Sequence, residues 1–416
     1  MGDGEPPAEL AAAVGEIALV DHHVHPALAT ELSHGEFEEL ITESDRPVPP
    51  GMTRFDSQPG IAIRRWCCPV LGLPASAPAQ DYIDRRRELG AATVTRRLLR
   101  AAGVSQLLID TGYLRDGMLG LAAMAEAAAA GVAEVVRLES VAEQAIVAGD
   151  GSAAGFAERF RTALWERTTS ACGVKSIAAY RFGLDLDPRP PAAAEVTSAA
   201  GGWRRQIDAA SQAAPGGTGG AGSADPAPST SPAPPTSPTS PGGSVRVTDP
   251  VLLRFLLWAG VDRGLPVQIH TGFGDPDLDL RRADPLLLRG FCELTQERAV
   301  PLMLLHCYPY HRQAGYLAHA YPHVYLDVGL AINHVGARAA AVVGESLELA
   351  PFGKVLFSSD AFGPPELHYL GALLWRRATA EVLGGWVDSG DWALADAIRV
   401  AGMIGAQNAR RVYRLP

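Results

Sequence analysis

Short runs of continuous apolar and β-branched residues recur along the chain, mostly separated by stretches rich in Ala, Leu, Glu and Arg. Eight runs stand out, at 17–21, 106–110, 134–139, 173–178, 266–270, 302–306, 324–328 and 354–358. Continuous rather than alternating hydrophobicity suits strands buried on both faces, and the intervening helical stretches supply parallel crossovers. The pattern predicts an α/β fold, a (β/α)8 or TIM barrel. Beyond the eighth run, 365–383 and 393–411 are amphipathic and predict helices that close the barrel.

Two segments depart from this repeat. Residues 26–103, between the first and second strands, contain helical pieces at 35–42, 61–71 and 81–89. Barrels grow active-site loops at this position, so the segment reads as a lid over the pocket, with a plain surface excursion as the alternative. Residues 213–244 are rich in Pro, Gly, Ser and Thr and cannot bury enough apolar surface to offset their ordering entropy. They read as a disordered insert between strands 4 and 5, flanked by helical stretches at 192–212 and 249–263. Strands of the same pattern continue on both sides, so 1–416 reads as a single domain.

Composition narrows the class. Of 416 residues, 47% are hydrophobic and 20% charged, which fits a globular protein with a sizeable core. The net charge of −10 is diffuse and there is no basic stripe, which argues against a nucleic-acid partner. No apolar run is long enough to cross a bilayer, and the acidic first residues lack the positive n-region of an export signal. Five cysteines, two of them adjacent at Cys67 and Cys68, suggest reduced thiols and a cytoplasmic home. The C-terminal helices are compatible with a homo-oligomer without fixing one. Lysine occurs only at Lys175 and Lys354, so it is kept where arginine would not serve.

The most informative stretch is Asp21-His22-His23-Val24-His25, behind the first apolar run. Side chains two apart on a strand share a face, so His23 and His25 can offer imidazole nitrogens to one point, a metal-ligand spacing. Surface polarity or a tag remnant is the bland alternative, but a tag lacks an apolar strand in front. In a parallel barrel the chemistry gathers at the carboxyl ends of the strands. Lys175 falls there on the fourth strand, His270 on the fifth, His306 on the sixth and Asp360 just past the eighth.

This set, in this order, resembles the amidohydrolase superfamily of metal-dependent barrels. The segments 174–181, 270–275 and Ser359-Asp360 look most similar to the amidohydrolase-2 branch, found in the N-terminal half of FluG-type and nodulin-related proteins. In those proteins a glutamine-synthetase-like domain follows the barrel; the present sequence stops at Pro416, so none is expected here. The resemblance implies a one-metal set of His23, His25, His270 and Asp360, suited to Zn²⁺ or a similar divalent ion. Lys175 and His306 match positions that bind a second ion in two-metal members, the lysine as a carbamate that arginine could not form. His306 alternatively acts as an acid–base or carbonyl-polarising group, and Lys175 as a salt-bridging or substrate-binding ammonium, so one or two ions are expected.

The chemistry implied is attack of metal-activated water on an amide-type C–N bond. The metal lowers the pKa of its water from about 15.7 towards about 7. Asp360 then accepts a proton and returns it to the leaving amine, while His306 polarises the carbonyl. Arg137, Tyr180, Arg181 and Arg312 lie near strand ends and read as contacts for a small carboxylate-bearing substrate, with a γ-glutamyl amide suggested by the family likeness. The alternatives are an internal glutamate partner for Arg137, holding strand ends together, and a helix-start position for Arg312. Asp110 reads as structural. Asp275, Asp277 and Asp279 alternate like a calcium loop but lack its glycine and its bidentate glutamate. Most of His22, His34, His311, His319, His323, His334 and His368 read as surface or loop residues, with His22 pointing away from its neighbours. A decarboxylase or hydratase of the same branch is the runner-up function, and a non-catalytic signalling barrel the third.

Overall fold

The computed structural model describes residues 6–113, 116–149, 152–213 and 245–416. Seven strands form one parallel sheet in chain order: β1 (Leu19–Val24), β2 (Val104–Asp110), β3 (Gly131–Arg137), β4 (Gly173–Ser176), β5 (Val267–His270), β6 (Leu302–Leu305) and β7 (Val324–Leu326). The eighth position, expected as a strand at 354–358, is an extended segment that follows a 3-10 turn at Phe352–Lys354. It still bonds both edges. Leu356 N donates to Leu326 O at 3.0 Å on the β7 side, and His22 N donates to Phe357 O at 3.2 Å on the β1 side. The ring of a TIM barrel is thereby closed.

Each strand is buried because helices cover the outside and side chains fill the inside. Val20, Leu108, Val135, Met303, Leu305, Tyr325 and Leu356 form an inner cluster with Ala409, Val412 and Tyr413 from the C-terminal helix Asn408–Tyr413. β1 runs to Val24 instead of stopping at Asp21, and every residue in it is buried. An apolar criterion stops too early there, since the strand carries polar side chains within the fold. β3 ends at Arg137 and a helix, Leu138–Val147, starts at once, so Glu139 lies in a helical first turn instead of a strand.

Residues 214–244, nearly all of the expected insert, lie outside the described residues. The helix Ala193–Ala213 precedes them and Pro250–Arg263, capped by Asp249, follows. All five cysteines are free thiols. No helix among the described residues is long and apolar enough to cross a membrane.

The segment 26–103 is helical, with His34–Glu39, Gln58–Ala62, Ala79–Leu89 and Ala91–Ala101 among its pieces. Ser33 and Glu36 form a reciprocal capping box at the first of them. Phe37 stacks on Phe55 at 5.7 Å, and the Arg86 guanidinium lies 4.7 Å from the Phe37 ring. Arg86 and Tyr82 then reach the helix Pro365–Asp388, which follows the Asp360 segment. Glu366 accepts from Tyr82 Oη at 2.6 Å and from Arg86 Nε at 2.7 Å, and all three residues are buried. The segment is fastened beside the carboxyl ends of the strands.

Because removing one partner leaves an uncompensated buried charge, Arg86→Ala is expected to cost about 3–5 kcal/mol. Arg399→Ala, which breaks an exposed pair with Asp396, should cost about 1 kcal/mol or less. Parallel denaturant unfolding curves check the contrast, and equal effects would contradict it.

Candidate metal centre

The site is built where β1 meets the closing segment. Asp21 Oδ1 and Oδ2 accept from Ser359 N at 3.0 Å and Ser359 Oγ at 2.5 Å. Asp360 N donates to His23 O at 3.2 Å and His25 N to Ala361 O at 2.9 Å. These bonds set Asp360 against His23 and His25, in a left-handed backbone conformation at φ 48°. His306 and Cys307, just past β6, are also left-handed, at 68° and 50°. Such strain in non-glycine residues persists only where the surroundings over-determine it, and it concentrates at functional sites.

Four donor groups gather around Asp360. His23 Nε2 lies 3.0 Å and His25 Nε2 3.6 Å from Oδ1, and His306 Nε2 lies 3.3 Å from Oδ2. Lys175 Nζ is 3.0 Å from His23 Nε2. The His306 ring sits 5.3 Å from that of His23 and 4.7 Å from that of His270. Gly272, at φ 72°, brings the β5 loop onto the β6 loop, since a Cβ there would collide with the Tyr308 carbonyl oxygen.

The inner side chains are held from behind. His23 Nδ1 donates to Gln268 Oε1 at 2.7 Å, while Gln268 Nε2 donates to His22 O at 2.7 Å and to Tyr413 Oη at 2.8 Å. With both amide hydrogens engaged elsewhere, Gln268 must accept from His23, which puts the His23 proton on Nδ1 and leaves Nε2 as a lone pair facing Asp360. Asp327, just past β7, accepts from His306 N at 3.0 Å, Gly329 N at 2.8 Å, Ser358 Oγ at 2.9 Å and His22 Nε2 at 3.0 Å.

Electrostatics favours a cation at this point. Burial holds His23, His270 and His306 well below the usual imidazole range and His25 at about 4, so all four imidazoles are neutral. Burial also lowers the Lys175 ammonium and raises the Asp360 carboxyl, against the opposing pull of each on the other. Among the described residues, Asp360 Oδ1, His270 Nε2 and both ring nitrogens of His306 are buried without a hydrogen-bond partner. Donors bound about 2.1 Å from a tetrahedral ion lie about 3.4 Å apart, and the observed 3.0, 3.6 and 3.3 Å bracket that spacing. One ligand atom each from His23, His25 and Asp360 lies within 4.8 Å of the others, a candidate three-donor metal group. The residues present fit a divalent ion.

Comparisons with known proteins find related sequences and folds. Residues 231–415 match the amidohydrolase family Amidohydro_2. Protein fluG of Emericella nidulans is 38% identical over 152 residues, which cover 36% of this chain and only 17% of that protein's length. A candidate metal-dependent hydrolase from Lactobacillus casei superposes with a TM-score of 0.80 at 26% identity, covering 99% of this chain and 98% of the other. These matches support a relationship to the amidohydrolase superfamily. Glucuronate isomerase from Caulobacter crescentus shares the fold of this chain, at 15% identity and a TM-score of 0.61 over 100% of this chain and 97% of the other.

Within the barrel, the sequence-predicted residues separate into two groups. His23, His25, Lys175, His270, His306 and Asp360 come together, with His270 reaching the others through the His306 ring and lying outside the three-donor group. Tyr180 joins them by packing its ring 4.5 Å from that of His270. The arginines have protein partners. Arg137 is bound by Asp110 Oδ2 through Nη2 at 2.6 Å and Nε at 3.1 Å, so its internal partner is an aspartate on β2 and not the expected glutamate. Arg181 pairs with Glu143 at 3.1 Å. Arg312 is exposed, pairs with Glu348 at 2.9 Å, and occupies the first turn of the helix His311–Ala320.

Gln268, Asp327 and Asp21 were not singled out as site residues; the signal of Gln268 and Asp327 was a polar side chain inside an apolar run, and that of Asp21 its place at the head of the histidine stretch. Three histidines read as surface residues, His311, His323 and His368, are buried, and His22 is buried against Asp327 and Tyr413. Glu43, from the 26–103 segment, sits 3.5 Å from His334 and adds its charge to the field on Asp360 and Tyr180.

The pH response of the metal-free protein follows. His23, His25, His270, His306, His323 and His368 all have folded-state proton affinities below the unfolded value of 6.5, with His25 and His323 at about 4 and His368 at about 3. These imidazoles take up protons on unfolding, so stability is lost as pH falls from 6.5 towards 4. Asp21, pushed up to about 7 by burial, and Asp360, Glu139 and Glu143, also raised by burial, act in the opposite sense, because the folded state holds their protons. Six groups outweigh four. Thermal melts of chelator-treated protein should show Tm falling across this window, with about 1.4 kcal/mol lost per pH unit for each net proton. A flat or rising Tm would contradict the assignment.

Proposed function

We propose that the chain is a metal-dependent hydrolase cleaving an amide-type C–N bond of a small carboxylate-bearing substrate, with γ-glutamyl amides as the first class to test. The observation that carries this reading is the convergence of His23, His25 and Asp360, whose buried Oδ1 has no hydrogen-bond partner, with three imidazole nitrogens within 3.6 Å of the carboxylate. His23, His25 and Asp360 would hold the ion, with His270 completing the set and Zn²⁺ the expected metal. When bound, a divalent ion supplies Lewis acidity and a nucleophile at neutral pH.

The chain's own groups supply the rest. Asp360 accepts the proton of the attacking water and passes it to the leaving amine. His306, neutral and buried, donates to the carbonyl oxygen as negative charge develops on it. Lys175 serves either as a ligand after carbamylation or as an ammonium directed at the substrate. Tyr180 walls the pocket beside His270, and Gln268 fixes the tautomer of His23. The 26–103 segment, anchored through Glu366, covers the pocket, and 1–416 acts as one barrel domain. The small core-buried thiols support a cytoplasmic setting.

A panel of γ-glutamyl amides incubated with zinc-loaded protein tests the reading. His23→Ala and Asp360→Asn should lose both bound metal and amine release. Gln268→Ala should cost about 10–100-fold in metal affinity or activity, because it acts through His23. Full hydrolysis by the His23 or Asp360 variant defeats the proposal. Release of CO₂ without amine would move the protein to the lyase reading.

A further inference from the structure

The rim of the barrel beside the metal centre holds buried groups that the proposed hydrolysis does not use. Glu139, in the first turn of the helix Leu138–Val147, accepts from Ser176 Oγ at 2.7 Å and from Ile177 N at 3.0 Å, both through Oε1. Its Oε2 is buried and has no hydrogen-bond partner. One turn further along the same helix, Glu143 accepts from Val247 N at 3.1 Å and pairs with Arg181 Nη2 at 3.1 Å. Arg181 ends the short helix Ala178–Arg181 beyond β4, and its side chain is only 9% exposed. Its Nε and Nη1 are buried and have no partner either.

Two donors therefore lack an acceptor, and one acceptor of opposite charge lacks a donor, on residues bridged by Glu143. They do not satisfy each other. Leaving such groups unpaired costs more than an ordinary hydrogen bond returns, and a bound ligand is one of the few things that would complete them. Burial together with Arg246 and Arg137 weakens the charged form of Arg181 by more than Glu143 and Glu139 restore, so the protein alone undercompensates this guanidinium. The location suits a substrate. β4 carries Lys175, which lies beside His23, and Tyr180, the neighbour of Arg181, packs on His270.

We propose that Arg181 and Glu139 bind the zwitterionic head of an α-amino acid, its carboxylate on the free N–H groups of Arg181 and its ammonium on Oε2 of Glu139. Glu143 holds Arg181 in place through Nη2 and leaves the other donors available. The proposal rests on the reading that this face of the barrel takes the substrate, and it narrows that substrate to amino-acid amides.

Calorimetric titration of the full chain with L-glutamate and L-glutamine, against glutarate and 4-aminobutyrate, tests it without turnover. Wild-type protein should bind the amino acids more tightly than glutarate, which lacks the ammonium, or 4-aminobutyrate, which lacks the α-carboxylate. Arg181→Gln should weaken L-glutamate binding by about tenfold or more, the effect of losing a charged hydrogen bond. The Arg181→Gln/Glu143→Gln double variant should behave alike, which separates loss of the ligand contact from harm done by an orphaned Glu143. Glu139→Gln should erase the preference for L-glutamate over glutarate. Equal binding by wild type and Arg181→Gln, equal binding of glutarate and L-glutamate by wild type, or no amino-acid binding by wild type overturns the proposal. Zinc titrated in parallel keeps the two readings apart: intact zinc binding with failed amino-acid binding sinks only this one, and failed zinc binding sinks the metal centre.

Discussion

Neutral imidazoles and one carboxylate, shut away from water around a single point, form the constraint on which the rest of the structure depends. A buried carboxylate has to be compensated, and the groups closest to Asp360 are His23, His25 and His306, which burial holds uncharged. Lys175 offers a positive charge, but its Nζ lies against His23 Nε2 at 3.0 Å, and burial lowers its own charged form. A divalent ion at the shared point reconciles these groups, because lone pairs and carboxylate are then both stabilised.

The barrel makes this arrangement mechanically firm. Asp360 is placed by hydrogen bonds across the closing seam, His306 by the Asp327 carboxylate, and His23 by Gln268. Tyr413, three residues from the C-terminus, links His22 and Gln268 inside the barrel. The 26–103 segment contributes Arg86 and Tyr82 to the buried Glu366, six residues past Asp360 in the chain. The two ends of the polypeptide and its largest insertion thus bear on one small volume, and the left-handed residues at the strand ends are held by that surrounding network.

Much of this was legible in the amino-acid sequence, for identifiable reasons. The alternation of apolar runs and helical stretches gave the barrel, and the spacing of His23 and His25 pointed to one shared face, where both rings now lie beside Asp360. Lys175 was marked by the scarcity of lysine in a chain that otherwise uses arginine. What stayed hidden depends on register between strands. The partner of Arg137 is Asp110, which meets it only because the ends of β2 and β3 lie side by side. Gln268 and Asp327 resemble flaws in apolar runs until the interior of the barrel is seen. Arg312 carried the right charge close to His306 in the chain, but the helix that begins at His311 turns it towards Glu345 and Glu348.

The most direct test of the central claim is an anomalous-scattering map from crystals of the metal-loaded protein. The account predicts a peak about 2.0–2.2 Å from Nε2 of His23 and of His25 and from the Asp360 carboxylate. A zinc peak elsewhere in a well-ordered chain, or Asp360 bonded only to protein groups at full metal loading, would contradict it.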